Sequence, residues 1–466
     1  MKIYILIEVA KRELDSKIYL ALMLTKLGFE VAITKKSRLY EKLDLIDPGI
    51  IFFKSFGPKY ENIIKKIRQN NHEVTGIDEE GLQFHSKELL IGKLRFSKKI
   101  LKDSKVIYCW GDKSKKIYKN FIKNKNLNII KSGNPRIDLI KETNKIYKGQ
   151  AEKLKIRYGK FILIPTQFLQ ANPSSKEMAN VKNPNVSYTA DVSVSEKEIS
   201  NFVNEKIKKL ERDKNYQKKS FQFYDKLYSF LNKNHSNRLF IVRPHPGEDL
   251  EYYKKLDKKY SNIKVTFEST PINPWILASE LVISNNCTTA IEAFFIKGGS
   301  INYIPYKDLK SEYFLNKNIS LEIRKLKQLS KVLNNNLVYK KKITKKNIKI
   351  LKSFIENYKS INSSKVIGKS LKKFYKENIF KKEKENYIKR YFYYLLYFLK
   401  SKIFGFLNFI FQSKNPDYLS QKNKRIDLNQ NTIKEKVSII SKLKIFKGNY
   451  KVLEKHYGIY LIKKAN

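Results

Sequence analysis

The sequence predicts an α/β protein with two doubly wound domains in tandem, because short apolar runs alternate with helical patterns along most of the chain. The runs at Ile3 to Ile7 and at Phe161 to Pro165 each open such a series. Two further runs, Leu239 to Val242 and Leu281 to Ile283, end directly in polar residues. Because parallel sheets bind ligands beyond the carboxyl ends of their strands, these strand ends are the first candidates for a site.

The first Rossmann-like domain is predicted over residues 1–150. Its strand candidates are short apolar runs separated by helical or polar segments, at Ile3 to Ile7, Val31 to Thr34, Ile50 to Phe53, Val74 to Ile77 and Val106 to Cys109. Ser16 to Leu27 predicts a helix with its leucines near one face. No Gly-x-Gly-x-x-Gly motif occurs, so the dinucleotide-binding fingerprint lacks support.

The second Rossmann-like domain is predicted over residues 151–340. After its first strand, a polar stretch from Asn172 to about Ser195 predicts a long loop or mobile lid. A Lys-rich helix follows to about Asn232, and Ser300 to Ile304 predicts a further strand.

Residues 341–466 predict a basic, aromatic-rich helical extension. Its most apolar stretch, residues 391–411, is long enough to cross a bilayer. Lys400 and Lys402 in its middle oppose a span, because each costs roughly 2.5–3.5 kcal/mol there. Residues 381–412 therefore predict either a helix on an anionic membrane surface or helices packed against the protein itself. The unit around Tyr450 to Ile462 yields no interpretation.

Composition indicates an anionic partner without naming it. The formal net charge is +52, spread along the chain rather than gathered in one stripe. No nucleic-acid motif occurs, so no nucleic-acid partner is expected. Two distant cysteines and five histidines without a cluster argue against a disulfide scaffold and a metal site, and no cofactor is expected. The first residues predict a strand rather than a signal peptide, which favours a cytoplasmic protein, peripheral on the inner face of the cytoplasmic membrane.

Arg243 and His245 follow the strand at Leu239 to Val242. A guanidinium matches phosphate geometry, and an imidazole can donate to a phosphate oxygen. With Pro244 and Pro246 stiffening the turn, the pair predicts anion binding; a helix-capping or salt-bridge role is the alternative.

The strand at Leu281 to Ile283 runs into a polar helix start. Helix N-terminal amides and nearby hydroxyls can hold a phosphate without metal. The candidates for donor and phosphate binding here are Ser284, Asn286, Thr288, Thr289 and Glu292, the last one turn later and suited to ribose hydroxyls. An ordinary capped helix is the alternative, and Cys287 is interpreted as a packed residue without an activating partner.

In the first domain, Asp78, Glu79 and Glu80 follow a predicted strand. Glu79 or Glu80 could act as the general base that deprotonates an acceptor hydroxyl, although an acidic loop is often only solvated. Other candidates follow strands at what we expect to be the same level: Glu8, Arg12, Glu13, Gly133, Asn134, Arg136 and, in the second domain, Thr166.

At these residues the chain resembles the bacterial surface carbohydrate biosynthesis proteins, a GT-B-like family of capsule and lipopolysaccharide loci. The matching positions lie within about residues 1–310: Glu8, Arg12 and Glu13, Asp78 to Gly81, Gly133 to Asp138, Thr166 to Phe168, Arg243 to Pro246 and Asn286 to Ala293. More distantly, the His-Pro strand end and the Ser/Thr-rich helix start are similar to capsular Kdo transferases, polysialyltransferases and CDP-glycerol glycerophosphotransferases.

The resemblance implies two domains facing a central cleft and a CMP- or CDP-activated donor. It implies Arg243 and His245 near the donor phosphates, and Thr288, Thr289 and Glu292 near phosphate or ribose. The leading hypothesis is a metal-independent glycosyltransferase with a nucleotide-sugar donor and a glycan or lipid-linked acceptor, in which His245 stabilises leaving-group charge. A sugar-nucleotide epimerase of the same fold and a non-catalytic basic nucleic-acid or scaffold protein are the alternatives.

Overall fold

A computed structural model describes residues 1–8, 10–79, 81, 96–122, 127–175, 196–268, 270–335, 344–360, 362–377, 428–446, 448–456 and 458–465. These residues form two compact units. The first takes its described residues from Met1–Gly81, Leu94–Leu139 and Ile355–Asn466, and the second takes them from Ile140–Phe354.

The amino-terminal part of the first unit alternates strands and helices. In chain order these are β1 (Lys2–Ile7), α1 (Ala10–Lys26), β2 (Glu30–Lys35), α2 (Lys36–Tyr40), β3 (Ile50–Phe53), α3 (Glu61–Gln69), β4 (Glu73–Gly76), α4 (Lys98–Lys102), β5 (Val106–Cys109), α5 (Asp112–Phe121), β6 (Asn128–Lys131) and α6 (Pro135–Lys141).

The second unit repeats the alternation. Its elements are α7 (Thr143–Tyr158), β7 (Phe161–Pro165), α8 (Glu196–Asn234), β8 (Leu239–Arg243), α9 (Leu250–Lys259), β9 (Ile263–Val265), α10 (Ile272–Ala278), β10 (Leu281–Ser284), α11 (Thr289–Lys297), β11 (Ile301–Tyr303), α12 (Phe314–Ile319), β12 (Leu321–Ile323), α13 (Leu326–Asn334) and α14 (Lys345–Phe354).

The chain then returns to the first unit through α15 (Ser363–Glu377), α16 (Gln430–Ile440), β13 (Tyr450–His456) and β14 (Ile459–Lys464). The hairpin of β13 and β14 joins the first sheet, where β14 pairs antiparallel with β2 and sets Ile462 opposite Val31. The part of the sequence that yielded no interpretation is thus a sheet edge.

The two sheets confirm the predicted doubly wound α/β fold. The first has the order β13-β14-β2-β1-β3-β4, and the parallel pair of β5 and β6 is linked to it by a bridge between Ile77 and Tyr108. The second has the order β12-β11-β10-β7-β8-β9, with every pairing parallel. Numbered from β7, this is the 3-2-1-4-5-6 order of Rossmann sheets.

The core of the second unit follows from the periodicity of α8. Tyr224, Leu227, Tyr228 and Leu231 recur at helical spacing and are all at most 1% exposed. They pack against the buried strands β7 and β8. These four residues lie in the last third of α8, which is 39 residues long. The turns before them are therefore available to line another surface of the same unit.

Two expectations for the polypeptide organisation differ from the structure. The described residues after Ile355 belong to the first unit rather than to a separate extension from residue 341, and the boundary between the units falls at 139/140 rather than near 150. Residues 391–411 and 381–412, and the loop predicted at 172–195 beyond residue 175, lie outside the described residues. Within the described part of the chain, no helix combines the length and apolar character needed to cross a bilayer.

Candidate functional site

The side chain of Arg243 shapes a neighbouring loop. Its guanidinium donates to the carbonyl oxygens of Pro271 (3.1 Å), Thr270 and Glu268, in the loop that precedes α10. It also stands 5.6 Å from the ring centroid of Trp275. Burial lowers the pKa of Arg243 to about 10, against the attraction of Glu268 and Glu292, so the group stays cationic at neutral pH. Glu292 thus acts on Arg243 through its charge, while the hydrogen bonds of the guanidinium serve the backbone of this loop.

The turn after β8 fixes the imidazole of His245. The Gly247 N–H donates to Nδ1 of His245 at 3.2 Å. In the neutral ring the proton therefore resides on Nε2, so Nδ1 accepts and Nε2 carries the N–H group. The side chain is half-buried. The tight Pro-His-Pro-Gly turn thus prepares a donor at the carboxyl edge of the second sheet.

The side chain of Glu248 stabilises this turn. Its carboxylate is 1% exposed and accepts hydrogen bonds from the N–H of His245 (3.1 Å) and of Phe168 (3.0 Å). It also accepts from the hydroxyls of Thr166 (3.0 Å) and Tyr253. Burial raises the pKa of Glu248 despite these four donors. Thr166, a predicted ligand contact, is therefore engaged in joining the loops after β7 and β8.

Two candidates after β10 are committed to the fold. The hydroxyl of Ser284 is fully buried and donates to the Ile301 carbonyl at 3.2 Å. Asn286 adopts a left-handed φ of 56°, its amide group donates to the Ser311 carbonyl (2.9 Å), and its side-chain oxygen accepts from the Tyr313 N–H (2.6 Å). Both side chains hold neighbouring loops in place, and their assignment to phosphate binding stays a prediction.

The start of α11 retains the predicted anion-binding features. Thr288 is at the N-cap position and its side chain makes no capping hydrogen bond. The thiol of Cys287 lies against the N–H groups of Thr289 and Ala290; these hydrogen bonds oppose burial, which raises the pKa of Cys287. Because a thiol is a weak acceptor, the Thr289 N–H would gain from a stronger one. The Ala290 N–H already donates to the Cys287 carbonyl at 3.2 Å. Glu292 follows in the first turn and is 5% exposed.

The first unit gathers its predicted residues into a cluster of ion pairs at the carboxyl edge of its sheet. Lys17, only 2% exposed, pairs with Glu79, and Asn134 donates to the other oxygen of Glu79 at 3.3 Å. Burial raises the pKa of Glu79, but Lys17, Asn134 and the charge of Arg136 hold it below its ordinary value. A carboxylate with a lowered pKa is a weak base, which counts against Glu79 as the general base.

A second set of ion pairs lies beside it. Lys54, which follows β3, pairs with Glu8 and with Glu13 (3.0 Å). The Glu8 N–H also donates to Glu13 at 3.0 Å. Charge compensation by Lys54 and Lys36 outweighs burial and lowers the pKa of Glu8, while the two carboxylates raise the pKa of Lys54. Glu8 and Glu13 therefore meet at one edge, as the sequence predicted.

The remaining candidates have different outcomes. Asp78 is 4% exposed, and its carbonyl accepts from the indole N–H of Trp110 at 2.6 Å. Gly133, at φ 72°, permits a close approach, but by the protein itself: an added Cβ would stand 2.6 Å from the carbonyl oxygen of Glu356. Glu80 and the side chain of Arg12 lie outside the described residues.

Sequence reasoning overlooked three residues of these sites. Glu248 was given no role, although a carboxylate three residues after a strand-end histidine is well placed to accept from the turn amides. Lys17 and Lys54 were overlooked because lysine is abundant throughout the chain. Their positions could have identified them, because Lys17 lies among the buried leucines of α1 and Lys54 comes directly after β3.

Comparisons with known proteins give structural likenesses alone. No family model matches the chain, and no curated protein matches it. A putative UDP-N-acetylglucosamine 2-epimerase from Listeria monocytogenes is similar at 10% identity, over 82% of this chain and 98% of that one, with a TM-score of 0.48. The wall teichoic acid polymerase TagF is similar at 12% identity, over 81% and 89%, with a TM-score of 0.45.

HepE of Anabaena, solved with UDP and glucose, is similar at 10% identity, over 81% of this chain and 100% of that one, with a TM-score of 0.40. At these identities the likenesses identify no activity for this chain. Among the described residues, no three His, Cys, Asp or Glu side chains are grouped so that they could hold a metal ion.

Proposed function

We propose that the chain is a glycosyltransferase that takes a sugar from a nucleotide-activated donor, CMP- or CDP-linked, without a metal ion. The observation that carries the proposal is the turn after β8, in which the Gly247 N–H holds Nδ1 of His245 and so fixes the tautomer that carries its proton on Nε2. In the sheet, β8 and β10 both neighbour β7, so this turn and the start of α11 share the edge where Rossmann sheets bind ligands.

The donor phosphate is held at the start of α11. The helix offers amide donors, its macrodipole favours negative charge there, and the Thr288 hydroxyl is not used as a cap. Glu292, one turn in, accepts hydrogen bonds from ribose hydroxyls. Arg243 holds the loop before α10 and adds a cationic charge to the same edge.

In the transfer step, the acceptor oxygen forms a bond to the anomeric carbon while the bond from that carbon to the phosphate oxygen breaks. The electron pair leaves with the nucleotide, whose developing negative charge is stabilised by His245 and the amides of α11. The acceptor proton passes to a carboxylate. Because Lys17 keeps Glu79 ionised and weakly basic, Glu80 is the better of the two predicted bases.

The product in this proposal is a bacterial surface polysaccharide, of a capsule or a lipopolysaccharide. The acceptor is a glycan or a lipid-linked glycan, and the enzyme works at the inner face of the cytoplasmic membrane. Residues 381–412 supply the contact with that anionic surface. What supports these finer statements is the resemblance of the motifs and the basic character of the chain.

The test combines nucleotide binding with variants that keep the turn. CMP, CDP, UDP and GDP are added to the full chain in a thermal-shift assay, where a ligand of the native state raises the unfolding temperature. His245→Asn keeps an acceptor for the Gly247 N–H but removes the Nε2 donor. We expect a cytidine-selective shift and loss of sugar transfer in His245→Asn and Glu292→Ala, with normal folding.

Two results would contradict the proposal. Transfer at the native rate in both variants would remove the site from the chemistry. Conversion of a sugar nucleotide into its epimer without use of an acceptor would make the chain an epimerase of the same fold.

A further inference from the structure

The second unit contains a pocket of about 550 Å³ that no predicted motif explains. It lies between the central turns of α8 and the loop that follows β11. Its volume is within the range of small-molecule sites. Its lining is unusual in combining basic and aromatic side chains with little aliphatic surface: Lys208, Arg212, Tyr216, Lys219 and Tyr306.

The basic wall comes from one face of a helix. Lys208, Arg212 and Lys219 are spaced by four and seven residues, so they project on the same side of α8. The Nε atom of Arg212 is buried and has no hydrogen-bond partner among the described residues. A buried guanidinium donor without an acceptor is costly, so an anion beside Arg212 would stabilise this wall.

Aromatic rings line the pocket from both sides, with Tyr216 on α8 and Tyr306 in the loop that follows β11. The ammonium group of Lys219 stands 4.6 Å from the ring centroid of Tyr306 and 3.2 Å from its hydroxyl. The ring of Tyr216 is 6.0 Å from that of Tyr306, centroid to centroid. Tyrosine offers a flat apolar face with a polar tip, a combination that suits a ring carrying both C–H groups and hydroxyls.

The loop that carries Tyr306 is already in place. Glu312, whose side chain is fully buried, accepts two hydrogen bonds from Arg324, at 2.9 and 3.1 Å. The Ser311 hydroxyl donates to Asp213 of α8 at 3.0 Å, which ties the loop to the helix. Asn286 holds the same loop from the strand end after β10. The pocket is therefore preformed and structurally continuous with the proposed donor loop.

Two carboxylates also line the pocket and limit its charge. Glu211 is exposed. Asp308 accepts from the Lys310 N–H (3.0 Å), and it shares the single Ser311 hydroxyl proton with Asp213, at 2.9 Å from that hydroxyl. The three cations exceed the two carboxylates, and the donor left without an acceptor belongs to a cation. The chemistry selects a ligand with a carboxylate or phosphate beside a sugar ring.

We propose that this pocket binds an acidic carbohydrate residue of the glycan on which the protein acts. The inference rests on the proposed function and adds the chemical class of the acceptor. Arg212 and Lys208 hold the acidic group, and Tyr306 packs against the sugar face. A carboxylate and a phosphate could both bind to these cations, and the test below distinguishes them by using one probe of each kind.

The test titrates the full chain with matched oligosaccharides by calorimetry. The probes are a hexasaccharide of alternating glucuronate and N-acetylglucosamine, its carboxyl-reduced neutral form, and an oligomer of glycerol phosphate. The variants are Arg212→Ala and Lys208→Gln in the pocket, and Lys218→Gln on the same helix but outside the lining. Folding of each variant is checked by its thermal unfolding temperature.

We expect one acidic probe to bind, the neutral hexasaccharide to bind at least about tenfold more weakly, and Arg212→Ala to lose about tenfold in affinity. Lys218→Gln should bind normally. Equal binding of acidic and neutral sugars would overturn the proposal. So would equal losses in the pocket and control variants, or equally tight, Arg212-dependent binding of a short RNA.

Nucleotide binding is measured on the same variants, which separates this inference from the proposed function. Normal cytidine-nucleotide binding in Arg212→Ala together with lost glycan binding supports both. Glycan binding that depends on Arg212 in a protein that binds no nucleotide would retain the pocket and reject the transferase. Nucleotide binding without any Arg212-dependent glycan binding would reject the pocket proposal and leave the transferase proposal standing.

Discussion

At the scale of single residues, Glu248 shows how one buried carboxylate organises the candidate donor site. Its partners come from three places: the turn containing His245, the loop containing Thr166 and Phe168, and Tyr253 of α9. Most of these donors meet one oxygen, Oε1. An amide oxygen could occupy that position, so shape and hydrogen bonding matter more here than charge.

Glu248→Ala is expected to destabilise the second unit by about 3 kcal/mol, because two backbone N–H groups and two hydroxyls lose their acceptor. Glu248→Gln keeps the oxygen and should cost about 1 kcal/mol or less. Urea unfolding of the two variants measures the difference. Equal losses in both would show that the negative charge, not the acceptor geometry, is what the turn requires.

For the ion pair of Lys17 and Glu79, in contrast, we expect charge rather than hydrogen-bond geometry to dominate the stabilisation. Lys17→Met leaves a buried carboxylate without its cation and is expected to cost about 3–5 kcal/mol near pH 7. The pKa of Glu79 in the native protein is below its ordinary value of 4.5. The pair therefore stabilises the fold above about pH 4.5, and this contribution is lost as the pH falls through the lowered pKa.

The effect of Lys17→Met should consequently shrink as the solution is acidified. Without Lys17, burial raises the pKa of Glu79, so the shrinkage should begin above pH 4.5. Urea unfolding between pH 7 and pH 4 measures how the loss of unfolding free energy in Lys17→Met depends on pH. The matched control is Lys17→Met combined with Glu79→Gln, which removes both charges and should lose less than the single variant at pH 7. A loss independent of pH would contradict this account.

The sequence predicted site residues wherever a strand end was visible in the apolar pattern. Glu8, Glu79 and His245 follow runs of buried residues, so their level in the sheet could be inferred. Their partners could not, because Lys17 and Glu248 contact segments that are distant from them in sequence. Periodicity reports which side chains are buried but not which polar atoms meet.

At the scale of elements, α15 shows how a helix of the carboxyl-terminal segment is fixed to the first unit. Asp138, fully buried, accepts from the N–H groups of Ser363 (3.1 Å) and Ser364 (2.8 Å) at the start of that helix. Asn357 donates to the Ser132 carbonyl at 3.0 Å. The turn around Gly133, predicted to approach a ligand, instead receives this segment of its own chain.

Asp138→Ala should therefore cost about 1–2 kcal/mol, as expected for the loss of an N-terminal cap. Asp103→Ala is the control, because Asp103 forms a largely exposed ion pair with Arg68 and should lose at most about 0.5 kcal/mol. Guanidinium unfolding of both variants measures the two losses. Hydrogen exchange of the α15 amides provides the second readout: they should exchange faster only in Asp138→Ala, and unchanged protection there would contradict the role of the cap.

At the scale of the whole molecule, the sequence predicted two sheets but not the path of the chain between them. Strand and helix alternation is a local signal, and it was sufficient for the fold class. The return of the chain after Phe354 has no local signal, because β13 is mostly exposed and the strand that β14 covers, β2, is more than 400 residues earlier. An edge hairpin of this kind is specified by the strand it covers.

The hairpin makes the carboxyl-terminal segment part of the first unit, and removal of residues 355–466 is expected to prevent that unit from folding. It would uncover β2 and delete the buried residues of β14, among them Ile462 at 0% exposure. Ile462→Ala should cost about 2–5 kcal/mol, whereas Leu453→Ala on β13, 48% exposed, should stay within about 0.5 kcal/mol. Limited proteolysis and circular dichroism of the truncated chain, with urea unfolding of the point variants, measure these effects. A truncated protein that keeps the native protease resistance of residues 1–139 would show that the first sheet is complete without its hairpin.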